Sequence, residues 1–296
     1  MPKRARYHQE EEESVFVSMT DIMVGLLFIF LMIIMYFAIQ TQRQQELISS
    51  ISESQEQIQG LTELTTYQER VDSQKKLILD WIVTYLESSG ITGVEVIQDQ
   101  GVIRLPEGIL FDTSQFSVEE GTNAFLTATI LAEALASILP CSTLTVSGLP
   151  YVESSVCAAS RYSNFYEAYI QGIYIEGHTD DDPVPETGLA ADPQITSNLK
   201  LAARRSTNTF EILLSHRPEL LQFHGPVSSP ELLRFEPVLA SSVYGEYRPV
   251  VSNDTETNKR VNRRIDIRVV MYQPITSDAL ERLQESLRGQ VEVNNQ

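Results

Sequence analysis

Val17–Ile39 reads V-S-M-T-D-I-M-V-G-L-L-F-I-F-L-M-I-I-M-Y-F-A-I, and from Ile22 onward it is almost unbrokenly apolar. Twenty-three helical residues rise about 34 Å, enough to cross a bilayer core of about 30 Å. The apolar core is too long for a signal peptide, and Y-F-A-I-Q-T-Q-R after it offers no small-x-small cleavage pattern. The stretch therefore reads as an uncleaved transmembrane helix, residues 17–39. Lys3, Arg4 and Arg6 precede it, and Arg43 is the one basic residue close behind. The positive-inside rule then puts residues 1–16 in the cytoplasm as a short tail. The rest lies in the periplasm, as in a single-pass inner-membrane protein.

One carboxylate, Asp21, sits about a turn inside the leading end of this span. An ionisable residue at such depth costs on the order of 3 kcal/mol unless it faces protein, water or an ion. Two readings are open. Asp21 is a helix-start acid favoured by the helix dipole, or it is an ion relay facing a pore or a partner helix. Ser14, Ser18, Asp21 and Gly25 follow at spacings of four, three and four, so they line one stripe. A small, polar stripe on an otherwise bulky helix suits close packing against other helices. On the second reading Asp21 binds and releases H⁺ or Na⁺, and a single acid without further oxygen ligands on its own helix leans towards H⁺.

The chain has 296 residues and a formal net charge of −18, with a pI near 4.6. That acidity argues against nucleic acid as a partner, because phosphate binding needs clustered Lys and Arg. The two cysteines, Cys141 and Cys157, both follow the span. They are either two buried thiols or, outside the cytoplasm, a disulfide closing a loop of about 15 residues, worth on the order of 3 kcal/mol by loop entropy.

Residues 40–90 contain no proline and few glycines and read as a helical linker. Leu47, Ile51, Ile58 and Leu61 fall at heptad-like positions, with Ser54 interrupting them. This is either a short coiled coil pairing two copies or a solvated spacer. Gln74–Glu87 is amphipathic and stops at Ser-Ser-Gly. From Gly93 the pattern turns to short alternating runs. V-E-V-I-Q-D-Q-G-V-I-R-L-P reads as a hairpin, followed by a helix over 118–139 and an irregular insertion over 140–168. A strand over 172–176, a helix over 197–215 and strand-like runs at 235–244 and 264–271 complete the pattern. The expected fold class is α/β: a sandwich with helices on one face of a small mixed sheet, spanning 91–275. A C-terminal helix and tail occupy 276–296.

Two regions of the α/β part carry chemistry. His178-Thr179-Asp180 leaves a strand, and Asn198-Leu199-Lys200-Leu201-Ala202-Ala203-Arg204-Arg205 opens the following helix. Converging there, Asp180 can take an ammonium and Arg205 can fork a carboxylate, which together hold a zwitterion. The plain alternative is an internal Asp–Arg salt bridge. Asp180, Asp181, Asp182 and Asp192 do not match the spacing of a Ca²⁺ loop, and His178 has no Cys or His nearby at metal-ligand spacing. No metal or other cofactor is expected. G-x-S-x-G, H-E-x-x-H and paired Cys/His nucleophiles are absent, so an enzyme is not expected either.

G-H-T-D, then N-x-x-L-x-x-x-R, then Y-G-E-Y-R-P-V-V-S-N-D-T-E-T-N-K-R-V-N-R-R-I-D-I resemble the OmpA/MotB C-terminal peptidoglycan-binding domain over roughly Val94–Met271. The resemblance implies that Asp180 and Arg205 clamp the zwitterionic diaminopimelate of the cell-wall stem peptide. Asn198 and Arg264 are the next contributors by position. The sequence departs from the family at Ala202, where Ser is common, at Ser206, where Ala is, and at Asn258, where Gly is. With the span and linker included, the chain resembles the MotB-like stator subunits, and most closely the ZorB type of the Zorya anti-phage defence system. That resemblance implies a homodimer inside a pentameric multi-span partner of MotA/ZorA type, with ion passage at Asp21 driving rotation of the ring. A flagellar-type stator and a passive membrane-to-wall tether are the alternatives.

Overall fold

The computed structural model describes residues 3–111, 118–149, 168–184, 195–228 and 233–294, and side chains from Met19 to Leu287 within these. The first helix, α1 (Lys3–Ser88), runs without a break from the tail through the apolar stretch. No Pro or strong cap interrupts its 86 residues, so nothing local stops the backbone ladder before Ser88. The helix therefore joins tail, span and linker. Gly90, with φ +87°, follows where the helix ends.

The chain divides into two compact units, 1–62 and 63–296. In the first unit α1 is exposed throughout its described length: Ile22 to Ile39 present their apolar side chains outward on every side. A helix that is oily all round and covered by nothing in its own chain is long and apolar enough to cross a membrane.

The second unit is a mixed α/β fold. It comprises the last turns of α1, β1 (Glu95–Ile97), β2 (Val102–Pro106), α2 (Asn123–Ile138), β3 (Ile170–His178), α3 (Asn198–His216), β4 (His224–Ser228), β5 (Leu233–Pro237), β6 (Leu239–Gly245), α4 (Glu256–Asn262), β7 (Arg264–Met271) and α5 (Ser277–Asn294). Five strands form one sheet in the order β1-β2-β7-β3-β6; only β3 and β6 run parallel. The run Phe235–Tyr244, which reads as one strand, is two. Pro237 removes a ladder donor, and Val238 turns its N–H to Phe223 (2.9 Å) and its carbonyl to the N–H of Ile173 (2.6 Å). The chain thereby leaves the β4–β5 hairpin and enters the main sheet as β6.

Alternation along the strands sorts the sheet into two faces. Ile103 and Leu105, Ile265, Ile267 and Val269, and Ile173 and Ile175 join the core with Leu131, Leu135 and Ile138 of α2 and Leu213 of α3. Tyr67, Val71, Ile78, Leu79, Ile82 and Leu86 of α1 enter the same core, so the end of the linker helix is part of this domain. Each fully buried Leu or Ile contributes about 1.5–3 kcal/mol of transfer free energy. The opposite face carries Arg104, Arg264, Asp266, Arg268, Glu176 and His178, described below.

Ile82→Ala should therefore destabilise the domain by about 3 kcal/mol in chemical denaturation, as a cavity in a packed core does. Leu77→Ala, at a position 40% exposed on the same helix, should change it by under about 1 kcal/mol. Equal effects would mean that α1 is not built into the core.

Candidate functional site

The G-H-T-D turn is shaped by one close approach. A Cβ on Gly177 would stand 2.3 Å from the carbonyl oxygen of Ala202, so β3 and α3 touch backbone to backbone there. The register of β3 against β6 shifts at Gly177/His178, and Thr179 donates its N–H to Gly245 O at 3.0 Å. Asp180 then leaves the sheet edge and is buried. Ser197 caps α3, its hydroxyl accepting from the N–H of Lys200. Asn198, the first helical residue, donates its amide to Asp180 O (3.2 Å), Asp182 O (2.9 Å) and Glu246 Oε2 (2.5 Å). Asn198 is thus a brace that fixes the loop holding Asp180 to the helix holding Arg205.

Arg205 is buried two turns into α3, its guanidinium 5.6 Å above the Phe111 ring. Burial pushes its pKa down to about 10, while the nearby Glu107 and Asp180 carboxylates oppose that fall and Arg263 adds to it. It stays charged at neutral pH. Asp180 and Arg205, 25 positions apart in sequence, thus belong to one electrostatic cluster. The residue that reaches the Asp180 carboxylate directly is Arg263, which the sequence reading passed over. Its Nη1 donates to Asp180 Oδ2, its Nε and Nη2 fork the two oxygens of Glu107 at 2.7 and 2.8 Å, and Nη2 also meets Glu256 at 2.5 Å. Burial works against its charge, but these three carboxylates raise its pKa above the ordinary value. Arg205, Arg263, Arg264, Glu107, Phe111 and Leu105 line a cleft of about 200 Å³, its open mouth included.

Arg264 is placed differently. The strand starts at this residue, so Arg264 shares a face with Asp266 and Arg268 rather than with Arg263. Its Nε donates to Asp266 at 3.0 Å, and its remaining donors go to the carbonyls of Asn262 and Arg248. Arg104 forks the same Asp266 at 3.1 and 3.3 Å, and Arg268 forks Glu176 at 2.7 and 2.8 Å. His178 lies between the two acids, its Nε2 3.8 Å from Glu176 and 3.7 Å from Asp266, stacked on Tyr244. Both ring nitrogens are buried without a hydrogen-bond partner. Glu176, His178 and Asp266 bring their ligand atoms within 4.8 Å of one another. Three guanidiniums already claim the two carboxylates, however, so a divalent cation would be repelled, and the cluster is a buried charge ladder.

Among the acids considered for Ca²⁺, Asp182 pairs with Lys259 at 2.5 Å and Asp181 lies 3.9 Å from it, while Asp192 lies outside the described residues. Cys141 is buried in the short 3₁₀ turn that follows α2. Cys157 lies outside the described residues, as does most of the 140–168 insertion. Asp21 and Gly25 lie one turn apart on α1, and among the described residues nothing beyond Gly25's own neighbours and helix backbone lies within 4 Å of its Cβ position. Ser14 and Ser18 are in the same helix, with side chains outside the description.

An apolar helix followed by an α/β domain with a buried acid–arginine cluster defines the class of this chain. No family model matches it. Over 100 residues, 34% of the chain, it is 30% identical to Motility protein B of Bacillus subtilis. The chain spans 30% of the length of that relative. Among solved structures, it is similar to a MotB-like protein of Desulfovibrio vulgaris (18% identity, 71% of this chain and 96% of that one, TM-score 0.44). It is also similar to the periplasmic domain of Helicobacter pylori MotB (21% identity, 65% and 87%, TM-score 0.36) and to the T6SS cell wall anchor of Pseudomonas aeruginosa (16% identity, 66% and 97%, TM-score 0.40).

The ladder makes stability depend on pH in one direction. Burial holds the His178 pKa below the ordinary 6.5, and the charge of Arg264 adds to this, so the unfolded chain takes the proton first. Burial pushes the Glu176 carboxyl up, but the Arg268 fork and the nearby His178 outweigh it and hold the pKa near 2, against 4.5 unfolded. At 3.8 Å His178 is beyond hydrogen-bond reach, so the Arg268 fork does most of this. The His178 contribution is whole above pH 6.5 and fades below it. The Glu176 contribution is whole above 4.5 and fades towards 2. The melting temperature should fall from pH 7 to pH 5, and His178→Gln should flatten that fall. A wild-type midpoint that rises on acidification would contradict the assignment.

Proposed function

We propose that this chain is the peptidoglycan-anchored stator subunit of an ion-driven inner-membrane rotary motor, of the ZorB type in anti-phage defence. The observation that carries the wall-binding half is that Arg263 joins the Asp180 carboxylate to the cleft that Arg205 lines, with Asn198 bracing the Asp180 loop to the Arg205 helix. An acid and an arginine held this way suit the ammonium and carboxylate of a diaminopimelate side chain. The stretch of similarity to Motility protein B supports the same reading. Within it, Asp180 takes the ammonium, Arg205 the carboxylate, and Asn198 positions both. Arg264 lines the same cleft as Arg205 while tied to Asp266.

Asp21 supplies the motor half. It is exposed, on a stretch of helix whose described side chains are exposed as well. A carboxylate in that setting needs protein around it, and the reading provides it as a second copy and a pentameric multi-span MotA/ZorA-like subunit. Protonation discharges Asp21 and deprotonation recharges it, and the membrane potential supplies about 2.3 kcal/mol per charge per 100 mV. The orientation is single-pass with the N-terminus cytoplasmic and residues beyond the span periplasmic. There Cys141 and Cys157 form a disulfide across the insertion.

Asp180→Asn should cut co-sedimentation with purified sacculi by at least about tenfold, the cost of losing a charge-assisted partner. Retained binding would leave Asp180 as merely the partner of Arg263. In liposomes holding the chain and its multi-span partner, Asp21→Asn should abolish ion flux while assembly and sacculus binding persist. Wild-type flux with Asn at this position would end the relay role, and no flux in either protein would leave a tether.

A further inference from the structure

We propose that Glu107 is a specificity-determining residue of the Asp180/Arg205 site: it occupies Arg263, so that the site demands a free ammonium on its ligand. The inference rests on the proposed wall-binding role. Glu107 follows β2 directly and its side chain is 9% exposed. It forks Arg263 through Nε and Nη2, Glu256 takes the second Nη2 hydrogen, and Asp180 takes one from Nη1. Four of the five guanidinium donors of Arg263 are thereby used inside the protein. Arg263 is a cation in the cleft that is not offered to a ligand carboxylate. Arg205, over the Phe111 ring at 5.6 Å, lines the same cleft.

Glu107, Arg205, Arg263 and Arg264 line the cleft, Asp180 and Glu256 are joined to it through Arg263, and Arg260 lies 3.9 Å from Glu107. An arriving ammonium joins Asp180, one oxygen of which already accepts the Asp182 N–H at 3.2 Å. Without the Glu107 charge, Arg263 loses its fork partner. It then presses on Asp180 alone, where it competes with the ammonium, and it turns free donors towards anions. Both changes lower the advantage of a ligand that carries an amine.

The test uses the full chain in detergent micelles and isothermal titration calorimetry with two probes. One is a stem tripeptide ending in meso-diaminopimelate, and the other is the same peptide acetylated on its side-chain amine. Wild type should favour the free amine, and Glu107→Gln should lower the ratio of the two affinities by about tenfold, the worth of a charge-assisted contact. Glu107→Asp, which keeps the charge, should restore most of the ratio. Glu256→Gln, at a side chain 64% exposed and therefore safe for folding, should shift the ratio the same way by about two- to threefold. An unchanged ratio in Glu107→Gln overturns the inference. If Glu107→Gln does not fold, an unchanged ratio in Glu256→Gln does so. A wild type that binds both peptides equally overturns it as well. A wild type that binds neither peptide removes the proposed wall-binding site along with it.

Discussion

The Arg263 guanidinium is the knot on which the candidate site depends. It stands at the C-terminal end of α4, just before β7 begins, and its donors reach Glu107 after β2, Asp180 after β3 and Glu256 at the start of α4. Three separate chain segments converge on one planar cation. A buried guanidinium is tolerable only if its donors are filled and its charge is matched. The three carboxylates therefore cannot move independently, and Asp180 is held at a defined place before any ligand arrives. Loops usually leave such a group mobile. Here an ion network fixes it without using sheet hydrogen bonds.

The same logic explains the polar face of the sheet. Across β2, β7 and β3, Arg104, Asp266 and Glu176 stand side by side in register, with Arg268 and Arg264 one pair away on either side. Cross-strand neighbours of opposite charge replace the second layer of helices that would normally cover such a face. His178 is the member whose charge is disfavoured, first by burial and then by the neighbouring Arg264. Its ring is retained for its shape against Tyr244. The segment that leads to Asp180 thus begins inside a rigid polar stack.

Much of this was legible in the sequence, for identifiable reasons. The alternation in V-E-V-I-Q-D-Q-G-V-I-R-L-P marked the β1–β2 hairpin, the run at 264–271 marked β7, and the helical pattern over 197–215 marked α3. Arg263 was harder, since two adjacent arginines look interchangeable in a string. The signal that separates them is the period of two in R-I-D-I-R: it puts Arg264 with Asp266 and Arg268 on one face and leaves Arg263 outside the strand. The burial of α1 beyond residue 63 was hidden for another reason. Gln74–Glu87 reads as an amphipathic helix, but a local pattern says only that one face is apolar, and the strands that cover it lie more than 15 residues further on. The split of 233–245 into two strands turned on where the single N–H of Val238 goes, a tertiary fact.

The two acids that organise the reading are placed by opposite physics. Asp180 is buried, and its carboxylate accepts from an arginine and a backbone N–H of its own chain. Asp21 is exposed on a helix whose neighbours Ile22, Met23 and Val24 are equally exposed, so its own chain supplies no compensating cation and no wall around it among the described residues. Water would solvate it at no cost, but the same segment is too apolar to remain in water. The two demands are reconciled only where oil surrounds the apolar side chains while polar groups from elsewhere meet the carboxylate. The helix is long and apolar enough to cross a membrane, and Asp21 and Gly25 lie one turn apart on it.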